Sequence, residues 1–242
     1  MHIVDVVPGS PAWHAWRRTG LGGSDAPALL GLSRHRTPAR LLREKRGEPL
    51  PPIDDTLALA RGRVLEPLAR DRYRALFGVS LQPICCMHET ERFLLASLDG
   101  WSEAERLPVE IKAPRRAEHR EALAGRVPRS FLCQCVHVLL VTGAPLAHFV
   151  SLQPDGFAPR DQLAVVAVRA DPRLVDELLL AERSFWRAVE TGEPPPRPPR
   201  IDWSRARTEK VRAPFQTAGV SGRTSASAPS PPASPAPRRP RS

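Results

Sequence analysis

Phe93-Leu-Leu-Ala-Ser-Leu-Asp99-Gly100 and, soon after it, Val109-Glu110-Ile111-Lys112 read as two neighbouring strands. Both are short and apolar, and each brings acidic or basic groups to one spot. Side chains alternate faces along a strand, so Glu110 and Lys112 point one way while Val109 and Ile111 point into the opposite, buried layer. With Asp99 at the end of the adjoining strand, two carboxylates and one ammonium share a site. Oxygen ligands of this kind suit a hard divalent cation such as Mg²⁺, which takes one or two carboxylates, keeps several waters and accepts phosphate oxygens. The pattern points to phosphodiester chemistry. A solvated hairpin is the bland alternative, and the strand-like, apolar context of both segments weighs against it.

A chain of 242 residues with 41% hydrophobic content buries one substantial core. We read a domain over residues 1–193 and a Pro/Arg-rich basic tail over 194–242. The tail holds ten Lys/Arg against two Asp/Glu, eight of the chain's net ten positive charges, and 12 of its 28 prolines. Such a composition cannot offset chain entropy by burial, and disorder is expected beyond Arg212. A basic arm attracts phosphate backbones; equally, a GC-rich gene produces Arg, Ala and Pro by codon bias. With no leader peptide and no run of eighteen apolar residues, the expected location is cytoplasmic, without a membrane partner. Cys85-Cys86 and Cys133-x-Cys135 lack the spacing of a zinc or iron–sulfur site and are expected to be reduced, buried thiols.

Ser24 is the expected N-cap of a short helix from Asp25 to Leu32, and Thr37-Pro38 opens another, ended by Gly47. A longer helix spans Val64 to Phe77, with Pro67 tolerable in its first turn. Strands at 79–87, 92–99 and 108–112 follow, then helices at 116–124 and 128–141. Further strands near 147–153 and 163–169 precede an amphipathic helix capped by Asp171-Pro172. The expected fold class is α/β, a central mixed sheet flanked by helices.

Six segments occur in register: Trp13-His-x-Trp-Arg17; Gly20-Leu-Gly-Gly-Ser24-Asp25-x-x-x-Leu-Leu-Gly31-Leu-Ser; Arg61-Gly-Arg-x-Leu-Glu66-Pro-x-Ala; Ala96-Ser-Leu-Asp99-Gly; Glu110-Ile-Lys112; and Gln134-x-x-His137-x-Leu-Leu-Val-Thr-Gly143. Together, over residues 12–150, they resemble the YqaJ-type viral recombinase family, relatives of phage lambda exonuclease in the PD-(D/E)xK nuclease superfamily. Leu98 stands where the family commonly has Pro, and Val136 where it often has Gln; neither position supplies charge or a metal ligand. The resemblance implies a restriction-endonuclease-like core and an Mg²⁺-dependent exonuclease, with Mn²⁺ as substitute. Such an enzyme degrades one strand of duplex DNA from its end, 5′ to 3′, for a single-strand annealing protein in phage-type recombination. A homotrimer is implied as well.

On that reading Asp99, Glu110 and the Ile111 carbonyl are metal ligands, and Glu66 adds a third carboxylate through water or a second ion. Lys112 orients or helps deprotonate the attacking water and stabilises phosphorane charge, its alternative being a salt bridge to Glu110. Gln134 positions water or phosphate, or else is a buried amide satisfied by backbone. Arg17 and Ser24 bind DNA phosphate beside the flexible Gly22-Gly23 turn, or form a plain cap with a surface arginine. Arg34 and His35 could extend that contact. His88, His119 and His137 lack paired metal-ligand spacing, and a packed or hydrogen-bonded role is expected of His137. Two alternatives stay open: an endonuclease of the same superfamily, and a non-catalytic DNA-binding or annealing accessory whose tail does the binding.

Overall fold

The computed structural model describes residues 1–51 and 56–212. The disorder expected beyond Arg212 concerns residues outside that range. Strands β1 (His2–Val4), β2 (Gln82–Met87), β3 (Leu95–Ser102), β4 (Leu107–Lys112), β5 (Ala147–Leu152), β6 (Leu163–Ala170) and β7 (Ala206–Lys210) lie side by side in chain order in one sheet. Neighbours run antiparallel except β4 and β5, which are parallel. A parallel pair needs a crossover, supplied by helices α5 (Arg116–Leu123) and α6 (Arg129–Thr142). Every residue of β5 is buried, as is all of β4 but Lys112, because helices cover both faces.

Helix α4 (Thr56–Phe77) covers one face, packing Ala69 and Tyr73 on Val109, Ile111, Val150 and Leu152. Helix α6 covers the other through Leu132 and Cys135, against Phe149, Val166 and Val168. It is itself roofed by α2 (Ala26–Leu29), α3 (Pro38–Lys45) and α7 (Pro172–Thr191), whose Leu29, Leu41, Leu174 and Leu178 meet Cys133 and Val136. A helix with protein on every side must be apolar all round, and α6 is buried from Leu132 through Thr142. The mixed α/β sheet expected from sequence is the observed fold. All four cysteines are free and buried; burial pushes the Cys86 thiol up to about 12.

Cap-then-proline pairs open three helices. Thr37 accepts the Arg40 N–H ahead of Pro38, and Asp171 accepts the Arg173 N–H ahead of Pro172. Ser10-Pro11 does the same for α1 (Pro11–Arg18), a helix left unassigned from sequence. Three boundaries are corrected. Helix α4 begins at Thr56, so Pro67 lies in its interior and Glu66 far past the first turn. Strand β3 runs on to Ser102, which puts Asp99 inside the strand. Residues 206–210, counted in the tail, pair with β6 as an edge strand. Their alternation of part-buried and exposed residues is short and charged, which hid them among the prolines and arginines.

Candidate active site

The site lies where β3 and β4 part. Their pairing runs from Ser102↔Leu107 to Gly100↔Val109 and stops, and β3 is irregular here, its register with β2 shifting between Gln82 and Ile84. Past Gly100 the side chain of Asp99 takes over: Oδ2 accepts the Ile111 N–H at 2.8 Å. A ladder donor left open by the divergence is thereby satisfied, and the carboxylate is pinned against β4. Bulged strands re-aim side chains in this way.

Glu110 and Lys112 share the face opposite Val109 and Ile111, as period-two alternation requires. Lys112 Nζ sits 2.6 Å from Glu110 Oε1, 3.1 Å from the Ile111 carbonyl and 3.8 Å from Asp99 Oδ2. One ammonium thus stands among three acceptor oxygens. Burial raises the Glu110 carboxyl, Lys112 opposes the rise, and Asp99 and Glu66 add to it. Burial works against the Lys112 ammonium, but Glu110, Asp99 and Glu66 together hold it well above its ordinary range. Glu66, half-buried on α4, is raised by burial and by the Asp99 charge. Its Oε1 folds back over Gly62, where an added Cβ would sit 3.0 Å away.

Carboxylates this close are unfavourable without a cation between them. Among the described residues no three Asp, Glu, His or Cys side chains form a ready-made metal cage. The donor set is instead two carboxylates and a carbonyl, with Glu66 within electrostatic reach. That fits a hard cation which keeps several waters, and the position of the Lys112 ammonium marks where positive charge is favoured.

Arg17 and Ser24 meet in the structure: Arg17 Nη2 donates to Ser24 Oγ at 2.7 Å. The expected cap at Ser24 is corrected. Asp25 reaches back to the Gly22 N–H at 2.9 Å, so the Ser24 hydroxyl is not used as a cap and stays exposed. The helix that follows shrinks to Ala26–Leu29. Arg17 also lies over the Trp13 ring, 5.0 Å from its centroid, and the Trp13 indole donates to Ser97 on β3. That bond ties the Arg17–Ser24 pair to the strand bearing Asp99. Gln134 is buried and donates its amide to the Ser130 carbonyl at 3.0 Å, the bond of the bland alternative; its backbone lies beside Gly23.

Over residues 12–145 the chain matches the YqaJ-like viral recombinase domain. It belongs to that family. Among curated proteins it is similar to the uncharacterized protein YqaJ of Bacillus subtilis (strain 168), 28% identical over 207 residues, 83% of this chain. The chain spans 61% of that relative's length. Among solved structures it resembles the alkaline exonuclease LHK-Exo of Laribacter hongkongensis, with a TM-score of 0.64 and 22% identity over 76% of this chain and 94% of that one. The same enzyme in complex with dAMP gives 0.64 and 23% over the same shares. These likenesses show that the chain shares the fold of that exonuclease.

The YqaJ-like domain has features that the sequence reading passed over. Arg70 donates from Nε to the Asp99 carbonyl at 2.6 Å. It lies one helical turn beyond Glu66, and that spacing was a readable signal. His137 is held between Glu182 Oε1 and the Leu95 carbonyl, both at 2.8 Å, in the hydrogen-bonded role expected of it. Burial pulls its pKa down, and the Glu182 carboxylate overrides this and raises it.

Proposed function

We propose that this chain is a divalent-metal-dependent deoxyribonuclease, an exonuclease that works 5′ to 3′ from the ends of linear duplex DNA. The observation that carries the reading is the Lys112 ammonium set among Asp99 Oδ2, Glu110 Oε1 and the Ile111 carbonyl. Family membership over residues 12–145 and the fold shared with an alkaline exonuclease support it.

Asp99, Glu110 and the Ile111 carbonyl would hold Mg²⁺, or Mn²⁺ in its place, with Glu66 reaching it through water. A bound ion of this kind supplies a water of lowered pKa and neutralises the scissile phosphate. The Ile111 N–H holds the Asp99 carboxylate in one orientation, so no reorganisation is needed when DNA arrives. Lys112, tethered to Glu110, orients the attacking water and stabilises charge on the phosphorane oxygens. Arg17 and the Ser24 hydroxyl bind a backbone phosphate beside the cut. Gln134, with its amide N–H on Ser130, offers its remaining oxygen to water.

The reaction leaves single-stranded DNA for an annealing protein in phage-type recombination, and the assembly we propose is a homotrimer. Free cysteines suit the reducing cytoplasm. Among the described residues no helix is long and apolar enough to cross a membrane. The deciding experiment is digestion of end-labelled linear duplex in Mg²⁺ beside a closed circular control. Release of nucleotides from the linear substrate alone is expected. Nicking of the circle would make the enzyme an endonuclease, and DNA binding without cleavage would make it an accessory protein.

A further inference from the structure

Asp25 is fully buried and yet gathers three cations. Its Oδ2 lies 2.7 Å from Lys45 Nζ and accepts the Gly22 N–H. Its Oδ1 accepts from Arg36 Nη2 and lies 3.7 Å from Arg17 Nη2. The cations reach further. Lys45 Nζ donates to the Arg17 carbonyl at 2.8 Å, and Arg36 Nη2 to the Ser24 carbonyl at 3.0 Å. Arg17 is therefore held by its carbonyl, by its guanidinium and by the Trp13 ring. Gly22 leaves space for this: a Cβ there would sit 3.2 Å from Arg17 Nη2.

The charges do not cancel. Arg36 is shared with Glu44 at 3.1 Å, but Glu44 is also paired with Arg40 at 3.0 Å. Around Asp25 the positive charges outnumber the negative ones, and the surplus lies against the exposed Ser24 hydroxyl. Burying cations at such a point is costly unless they are paired. A single carboxylate among three of them limits that cost while leaving the guanidinium of Arg17 fixed rather than free to search.

We infer that Asp25 is the positioning residue of the DNA-phosphate contact: through Lys45, Arg36 and Gly22 it sets Arg17 and Ser24 in place for a phosphate that completes the charge balance. The inference rests on the proposed DNA-end reading. It predicts an effect on binding rather than on the chemical step, since Asp25 touches no reacting atom. A merely structural carboxylate would change stability and leave DNA affinity as it was.

The test is a double-mutant cycle on the full chain. Asp25→Asn/Lys45→Met removes one charge of each sign, and it is compared with wild type, each with and without Arg17→Gln. DNA affinity is read in Ca²⁺ by fluorescence anisotropy of a linear duplex, and kcat and KM in Mg²⁺. We expect Kd and KM to rise about tenfold, the effect of losing one charge-assisted contact, with kcat at saturation changed less than about twofold. Arg17→Gln should weaken the wild type by a similar factor and add nothing in the paired background. Should the paired variant not fold, Lys45→Met alone runs the same cycle, leaving Asp25 with Arg17 and Arg36. Wild-type affinity in the paired or Lys45→Met variant, or an Arg17→Gln effect that multiplies in full, overturns the inference. Wild-type protein that binds duplex but releases no nucleotide defeats the nuclease reading instead, and the affinity cycle still decides the role of Asp25. Wild-type protein that binds no DNA overturns both.

Discussion

The Ile111 N–H donates to Asp99 Oδ2 at 2.8 Å, so the carboxylate on β3 is fixed by the backbone of the strand it faces. The bond exists because the β3–β4 ladder stops at Gly100↔Val109. A sheet that continued its pairing would have used the same N–H on a main-chain carbonyl. The opening of the sheet and the orientation of the acid are one structural event.

Asp99→Asn keeps an oxygen able to accept from Ile111 and removes the charge. Nucleotide release should fall roughly a thousandfold, the scale of losing several kcal/mol of transition-state stabilisation. The fold should be as stable as before or more so, since Asp99 and Glu66 repel each other. Denaturation midpoints and initial rates on labelled duplex measure the two effects. Retained activity in a well-folded variant would remove Asp99 from the site.

The strands of the centre were legible because a covered strand has to be apolar, and Val109, Ile111, Phe149 and Val150 leave little choice. Glu110 and Lys112 were legible as a pair because period two is rigid. The neighbourhood of Asp25 was not, since Arg36 and Lys45 reach it from a loop and from α3, and no spacing rule links those positions. Ser24 was read as a cap for a related reason: Asp25, one residue on, is an equally good capping side chain, and only the tertiary grip of Arg17 on Ser24 decides between them. Helix α4 is expected from Val64 because Pro67 argues for a nearby start, whereas the observed helix begins at Thr56 and carries the proline in its interior.

Gly20 is needed for close approach. An added Cβ would sit 2.2 Å from the Phe93 carbonyl oxygen, and that oxygen already accepts the Leu21 N–H at 2.6 Å. Gly20→Ala should cost about 3 kcal/mol by overpacking, seen as a lower urea midpoint with an unchanged slope. The same displacement moves the Gly22–Ser24 turn, so DNA affinity should weaken as well. A variant as stable as wild type would contradict the packing described.

His148 is buried beside Tyr73, whose hydroxyl lies 2.7 Å from Nδ1. Burial, with Arg169 adding to it, lowers its pKa from the ordinary 6.5 to about 4. Between those values the unfolded chain binds a proton that the folded chain refuses, so stability rises with pH across this window and levels off above it. The deficit approaches about 3 kcal/mol at the acid end. His148→Asn removes the titration. Urea midpoints at pH 7.5 and pH 4 should therefore fall further for wild type than for the variant. Parallel losses would show that His148 is not the group responsible.

Cation binding can be read without cleavage. A ligand that binds only the folded state stabilises it in proportion to the logarithm of its concentration, by about 2.7 kcal/mol at a hundredfold excess over Kd. Mg²⁺ or Ca²⁺ titrated into the DNA-free protein should raise Tm progressively, because the ion relieves repulsion among Glu110, Asp99 and Glu66. Asp99→Asn should flatten that response, since one of the two proposed carboxylate ligands is lost, whereas Arg17→Gln, in the separate proposed phosphate contact, should leave it intact. The comparison separates a metal held between β3 and β4 from general screening of an acidic patch, which would raise Tm in all three proteins alike.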